Sequence, residues 1–278
     1  MLALCVAGSL SASLTVWAAA GPLRIIHLGI HQIEDGPAVG DRVGFVPGET
    51  IYLRFDVENY TLTKEQAAAV SWVVEAADPK GVPIAPPAEG KKEANLQPED
   101  KDWLPRARQA IVVPSPAPGG TYSVHIRVTD LNSKDTAVAD TKFTVSGPAL
   151  PPTPALTFRN FGFYRSEEDP QGLTSPAYRP GDTMFARFQI AGYKYGEGNA
   201  VNVTYGISIV GPAGNVMYTQ DPAVEENSAS FYPKPYVDAN MNLSLNAGTK
   251  AGEYTLVLNA KDKVGNQSVE IRKPFHVE

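Results

Sequence analysis

The chain has 278 residues, a length that corresponds to one large or two ordinary domains. Apolar residues make up 43% and charged residues 19%, which provides for a hydrophobic core and excludes a disordered polyelectrolyte. The net charge is −6 and no basic run is longer than Lys91-Lys92, which argues against binding to nucleic acid or to an anionic membrane, because both need clustered Lys and Arg.

The N-terminal segment has the features of an export signal. Residues 1–20 contain no charged side chain and end in three alanines, so we expect a signal peptide cleaved after Ala20, although the usual basic start is missing. Four Ser and Thr side chains make this segment a poor and short membrane-spanning helix. Cys5 is the only cysteine, so the mature chain would hold no disulfide. Secreted animal domains of this size usually carry a disulfide, and its absence favours a bacterial secreted or periplasmic protein.

The remaining sequence predicts antiparallel strands. Apolar and polar residues alternate over stretches of about seven residues, the period of a half-buried strand. In the first half, clear examples are residues 51–58, 70–76 and 122–129, and in the second half they are residues 184–190, 203–209 and 254–260. With 24 Gly and 24 Pro residues in the chain, long helices are unfavourable. The sequence therefore predicts an all-β fold.

The two halves are copies of one another. Residues 23–84 align with residues 156–217 without a gap at a shift of 133, and the shift becomes 132 towards the end of each copy. Matched pairs are Pro47-Gly48 with Pro180-Gly181, Trp72 with Tyr205, Tyr122 with Tyr254, and Asp130 with Asp262. We predict two domains of ordinary size, the first repeat (residues 21–147) and the second repeat (residues 155–278). The Pro-rich residues 148–154 between them should form a stiff linker.

Each copy resembles a bacterial immunoglobulin-like or fibronectin type III-like domain. Trp72 and Tyr205 lie where such domains bury an aromatic residue on the third strand. Tyr122 and Tyr254 each follow a glycine near the start of the sixth strand, similar to the tyrosine corner of that fold. The resemblance implies two tandem immunoglobulin-like antiparallel β-sandwiches. It does not imply one function, because this fold carries many functions.

We find no catalytic constellation or metal site in the sequence. No Gly-x-Ser-x-Gly nucleophile turn occurs, and His27 and His31 would lie about 13 Å apart on a strand, too far to share a metal ion. We interpret both histidines as solvent-facing. The acidic residues 34–35 and 167–169 lack the ligand spacing of a calcium loop, so we interpret them as solvated. The sequence predicts no catalytic residue, no metal and no cofactor.

The connections before the fifth strands are the candidate binding sites. Residues 91–108 and 225–238 depart from both the strand pattern and the repeat. They carry the predicted ligand-binding residues Trp103, Phe231, Tyr232 and Tyr236. Aromatic rings in Pro-rich loops either cover an open sandwich edge or form a contact surface, and both interpretations stay open.

The sequence thus predicts an exported, non-catalytic binding or spacer protein. Its partner would be a protein or polysaccharide at the cell envelope, with no nucleic acid and no membrane span in the mature chain. One alternative is an accessory carbohydrate-binding protein that uses the aromatic loops. Another is an enzyme whose site forms between the two domains.

Overall fold

The fold was taken from a computed structural model that describes residues 21–40, 44–147 and 153–278. The predicted signal peptide and most of the predicted linker lie outside the described residues. The described residues form 16 strands and one short 3-10 turn, which confirms the all-β class. None of the helical structure in these ranges is long and apolar enough to cross a membrane.

The first repeat contains two sheets. Its strands are β1 (Arg24–His31), β2 (Gly44–Phe45), β3 (Thr50–Glu58), β4 (Ala67–Ala77), β5 (Ala88–Asn95), β6 (Arg106–Val112), β7 (Gly120–Asp130) and β8 (Thr136–Val145). One sheet has the order β1-β3-β6 and the other has the order β2-β8-β7-β4-β5. All pairings are antiparallel except that of the two-residue β2 with β8, which is parallel.

The second repeat has the same arrangement. Its strands are β9 (Thr157–Tyr164), β10 (Ala177–Tyr178), β11 (Thr183–Ala191), β12 (Val201–Val210), β13 (Val216–Ser228), β14 (Tyr236–Ser244), β15 (Gly252–Asp262) and β16 (Gln267–Val277). The sheet orders are β14-β11-β9 and β10-β16-β15-β12-β13, with a parallel pair only between β10 and β16. The internal duplication seen in the sequence therefore matches a duplicated strand order.

Each repeat has a hydrophobic core filled from both of its sheets. Phe55 from the three-stranded sheet meets Trp72 from the five-stranded sheet edge to face, with ring centroids 6.0 Å apart. Phe188 and Tyr205 form the equivalent contact in the second repeat, at 5.7 Å. Trp72 is only 8% exposed. Alternation drives this packing, because every second side chain of a strand points to the same face, and the result is compatible with β-sandwich domains.

The two repeats also share hydrogen bonds at matching positions. The hydroxyl of Tyr122 donates to the carbonyl of Pro118 (2.7 Å), and that of Tyr254 donates to the carbonyl of Lys250 (2.8 Å). Asp130, whose counterpart in the second repeat is Asp262, accepts hydrogen bonds from several backbone amides, including that of Thr61 at 2.6 Å. These bonds tie the loop after β3 to the turn that follows β7.

The predicted aromatic connections are shorter than the sequence indicated. The prediction of irregular structure was wrong for residues 91–95 and 106–108, which belong to β5 and β6, and for residues 225–228 and 236–238, which belong to β13 and β14. Strands β5 and β13 lie at sheet edges and are largely exposed, so they carry charged residues on both faces and show no alternation. The connecting segments that remain are residues 96–105 and residues 229–235.

Candidate functional site

The segment between β13 and β14, residues 229–235, is called the Tyr232 loop. It belongs to the second repeat, yet the ring of Tyr232 is part of the hydrophobic core of the first repeat and is 9% exposed. The Tyr232 hydroxyl donates a hydrogen bond of 2.9 Å to Oδ2 of Asp78, 154 positions earlier in the chain. This contact joins the two repeats.

The turn that contains Asp78 orients its carboxylate for this hydrogen bond. Asp78 is buried, and its other carboxylate oxygen accepts hydrogen bonds from the backbone amides of Lys80 (2.8 Å) and Val82 (2.9 Å). The carboxylate is therefore oriented before Tyr232 arrives. Burial raises the pKa of Tyr232, and the hydrogen bond to the Asp78 carboxylate raises it further. The phenol thus stays protonated and can act as the donor at any physiological pH.

The Tyr232 loop is held in place by its own repeat. The hydroxyls of Tyr193 and Tyr195 both donate to the carbonyl of Lys234, at 2.6 and 2.5 Å. The side-chain amide of Asn199 donates to the carbonyl of Phe231 at 2.6 Å. Three side chains outside the loop thus fix its backbone, so little conformational entropy is lost when Tyr232 enters the first repeat.

The four predicted binding residues fall into two groups. Phe231 and Tyr236 lie beside Tyr232, whereas Trp103 lies at the opposite end of the first repeat. Its ring meets that of Tyr60 edge to face at 5.8 Å, and its carbonyl accepts a 2.9 Å hydrogen bond from the Tyr60 hydroxyl. The structure therefore brings together only the three aromatic residues of the second repeat.

Phe231 and Tyr236 border the contact between the repeats. Phe231 is 50% exposed at the tip of the Tyr232 loop. Tyr236 lines a cleft of about 500 Å³ whose walls include Pro116 of the first repeat and Glu226 of the second. Lys234 also lines this cleft, and its Nζ lies 3.5 Å from Oε1 of Glu226. This ion pair partly neutralises the charge of both side chains. Tyr232 itself is buried, as expected if the aromatic residues cover a sandwich edge. The core that it covers, however, is that of the first repeat.

A buried carboxylate cluster lies elsewhere, on the three-stranded sheet of the first repeat. Asp56 accepts hydrogen bonds from Nε (2.8 Å) and Nη2 (3.2 Å) of Arg106, and its Oδ2 lies 3.0 Å from Nδ1 of His27. Burial opposes the charged form of Asp56, but the hydrogen bonds from Arg106 and His27 outweigh it and leave its pKa lowered. Sequence reasoning missed this cluster, because its members are far apart in the chain and look like outward-facing strand residues.

The interpretation of His31 as solvent-facing was wrong. His31 is 1% exposed, and its Nδ1 lies 2.8 Å from the carbonyl oxygen of Gly36. The reason is a shift of register in β1 between Ile26 and Gly29, where His27 adopts a positive φ of 52°. This bulge reverses which residues of β1 face inward. His27 itself is exposed, as predicted.

Among the described residues, no group of three or more His, Cys, Asp and Glu side chains is arranged to hold a metal ion. No protein-family model matches the chain, and no curated protein sequence is significantly similar to it.

Proposed function

We propose that this chain is an exported, non-catalytic spacer or binding protein whose two immunoglobulin-like β-sandwiches are held in one relative orientation. The observation that carries the proposal is the burial of Tyr232, a residue of the second repeat, in the core of the first. A side chain that crosses between repeats in this way turns two linked domains into one stiff unit.

The immunoglobulin-like part of the proposal is supported by features that occur in both repeats. Each has a three-stranded and a five-stranded sheet on either side of one core. Tyr122 and Tyr254 make the hydrogen bond to a carbonyl four residues upstream that defines a tyrosine corner. Trp72 and Tyr205 supply the buried aromatic residue of the third long strand.

The stiffness follows from having two attachments. The chain leaves the first repeat after β8 and enters the second at β9, which is one attachment. The Tyr232–Asp78 contact is the other. A single linker would let the second repeat swing, whereas two separate attachments restrict its rotation. A stiff pair keeps the loops at its two far ends at a constant separation, which suits a protein that presents partners at a set distance.

The test is the distance between the repeats in solution. Val138 and Val216 are exposed, one in each repeat, and each can be changed to cysteine and spin-labelled in a chain that carries Cys5→Ser. Electron–electron double resonance should give a single narrow distance distribution. Tyr232→Ala should broaden it at least twofold, because the ring that crosses between the repeats is lost.

Two controls make this test decisive. Phe231→Ala removes the exposed neighbouring ring and should leave the distribution narrow. Tyr232→Phe keeps the buried ring without the hydroxyl and should give an intermediate width. A broad distribution in the parent chain, or an equal width in Tyr232→Ala, would overturn the proposal of a stiff spacer.

A further inference from the structure

The far end of the second repeat, opposite the Tyr232 loop, carries an open groove of about 710 Å³, called the distal groove. Its walls come from the turn after β12, the start of β13, and the turn between β14 and β15. Among its lining residues are Pro212, Met217, Leu245, Lys250 and Tyr254. Lys250 is the only charged side chain that lines it in the described part of the chain.

The distal groove is the counterpart of the place that receives Tyr232 in the first repeat. Tyr254 corresponds to Tyr122, and each stacks on a phenylalanine of the neighbouring strand, at 5.5 and 5.2 Å. The turn at residues 211–215 corresponds to the turn at residues 78–82, with the same pair of backbone hydrogen bonds. Residues 246–250 correspond in the same way to residues 114–118. Both ends are therefore built from the same three parts.

The two ends differ in occupancy. In the first repeat, Tyr232 packs into the cluster that contains Tyr122 and Ala117, and its hydroxyl reaches Asp78. In the second repeat, no side chain of the described residues fills the equivalent volume, which leaves the groove open. At this end, the first repeat thus receives an aromatic side chain from the repeat that follows it. The same end of the second repeat receives no such side chain from the described residues.

The edge strand beside the groove supports a contact there. Met217 is 60% exposed, and its neighbours Val216 and Tyr218 are also exposed. Further along β13, residues 221–226 contain Asp, Pro and two Glu, the kinds of residue that protect an edge strand from pairing. Met217 and Tyr218 line the groove, so the apolar start of this strand lies at it, as expected of a contact surface.

We propose that the distal groove receives an aromatic side chain from a proline-flanked loop of a separate protein. Gly211 stands where the first repeat has Asp78, so the groove lacks the carboxylate that accepts the Tyr232 hydroxyl. A Phe or Trp ring is therefore accommodated as well as Tyr. The partner loop carries no cation at its tip, because Lys250 would repel it.

A second copy of this chain does not fit this description. The hydroxyls of Tyr60 and Tyr193 donate to the carbonyls of Trp103 and Lys234, which makes these two loop positions equivalent. Two residues before each, the second repeat has Tyr232, whereas the first repeat has Lys101. At the position equivalent to Tyr232, the free end of a second copy would thus bring a lysine and not a ring to the groove, and Trp103 of that loop packs against Tyr60 of its own repeat.

The test uses methionine methyl NMR on the full chain. The probe is a cyclised peptide with the sequence of residues 230–236 in which glutamine replaces the lysine, Ser-Phe-Tyr-Pro-Gln-Pro-Tyr, so that it carries no cation. Met217 lines the groove, whereas Met184 is buried in the core and Met241 packs against it. The methyl signal of Met217 should shift and saturate at roughly millimolar peptide, as for one buried ring, while those of Met184 and Met241 stay unchanged.

The controls separate groove binding from other causes. A peptide with its three aromatic residues replaced by serine should have no effect. Tyr218→Glu, at the mouth of the groove, should weaken binding at least fivefold, whereas Val224→Glu, equally exposed on the same strand, should not. An unmoved Met217 signal, or an equal shift with the serine peptide, would overturn the proposal. A shift on concentrating the chain alone would overturn it too and would assign the groove to a second copy.

The inference rests on the proposed contact between the repeats, because the binding of a ring in the distal groove is inferred from the packing of Tyr232 in the first repeat. The two can fail separately: Tyr232→Ala and the distance distribution test the contact between the repeats, whereas Met217 reports only on the distal groove.

Discussion

Asp56 shows how a single buried carboxylate couples the first repeat to pH. Its side chain is 5% exposed and is paired with Arg106 and His27, which both reach it from neighbouring strands. Because its pKa is lowered on folding, the folded protein binds this proton more weakly than the unfolded chain does. The stabilisation is therefore present at pH values above the ordinary carboxyl pKa and is lost as the pH falls through the lowered value.

Asp56→Asn should lower the free energy of unfolding of the first repeat by about 1–3 kcal/mol at pH 7, because hydrogen bonds to a charged group are lost. The difference from the parent chain should shrink at about pH 3, where the unfolded chain has already taken up the proton. Urea unfolding at both pH values measures this. An equal difference at pH 7 and pH 3 would argue against the charge of Asp56 as the cause.

Asp140→Asn is the matched control. Asp140 also pairs with a histidine of the same repeat, His125, at 2.8 Å, but its side chain is largely exposed. Exposed pairs of this kind contribute little, so this variant should change stability by less than about 0.5 kcal/mol at either pH.

At the scale of strands, Gly90 and Trp72 explain how β5 fits against β4. They are directly paired residues, and a Cβ atom on Gly90 would lie 2.2 Å from the indole of Trp72. The glycine leaves room for the indole to lie against the backbone of the neighbouring strand. The second repeat has Tyr205 at this position of β12, paired with Val224 of β13, so a smaller ring there tolerates a side chain opposite.

Gly90→Ala should therefore destabilise the first repeat by about 1–3 kcal/mol, since the indole must leave its position in a close-packed core. Thermal unfolding of the full chain measures this. Gly40→Ala is the control in the same repeat, because a Cβ atom there meets no atom of the described residues within 4 Å. If Gly90→Ala and Gly40→Ala had the same effect, the contact between Gly90 and Trp72 would have no energetic role.

The strands themselves could be predicted because alternation and turn residues are local signals. β3, β4 and β7 and their second-repeat counterparts follow the predicted stretches closely. The edge strands β5 and β13 could not be predicted, since they bury little and so show no alternation. The bulge at His27 was also invisible, because it depends on the pairing of β1 with β3 and not on any residue preference.

At the scale of the whole molecule, the contact between the repeats was beyond the sequence argument, although a signal existed. Asp78 and Tyr232 are each a departure from the repeat, since their counterparts are Gly211 and Lys101. When two residues that differ from their counterparts in the repeat lie in contact, they indicate an interaction that occurs only once in the molecule. Considered separately, these differences predict only an aromatic loop that either covers a sandwich edge or forms a contact surface.

We expect this contact to couple the stability of the two repeats. Trp72 and Trp103 are both in the first repeat, and the only other tryptophan, Trp17, lies in the predicted signal peptide. Tryptophan fluorescence of the chain from residue 21 onward therefore reports on the first repeat alone. Tyr232→Ala, a change in the second repeat, should nevertheless lower the free energy of unfolding of the first by about 1–3 kcal/mol, because it removes a ring from that core.

Urea unfolding followed by tryptophan fluorescence tests this coupling, with Phe231→Ala as the control that removes an exposed ring from the same loop. Residues 22–147 and 155–278 should each fold alone, since each contains a full set of strands and its own core. The isolated first repeat should then match the Tyr232→Ala chain in stability, because both lack the same ring. A tryptophan transition that is unchanged both by Tyr232→Ala and by removal of the second repeat would show that the two domains are energetically independent, and that Tyr232 does not link them.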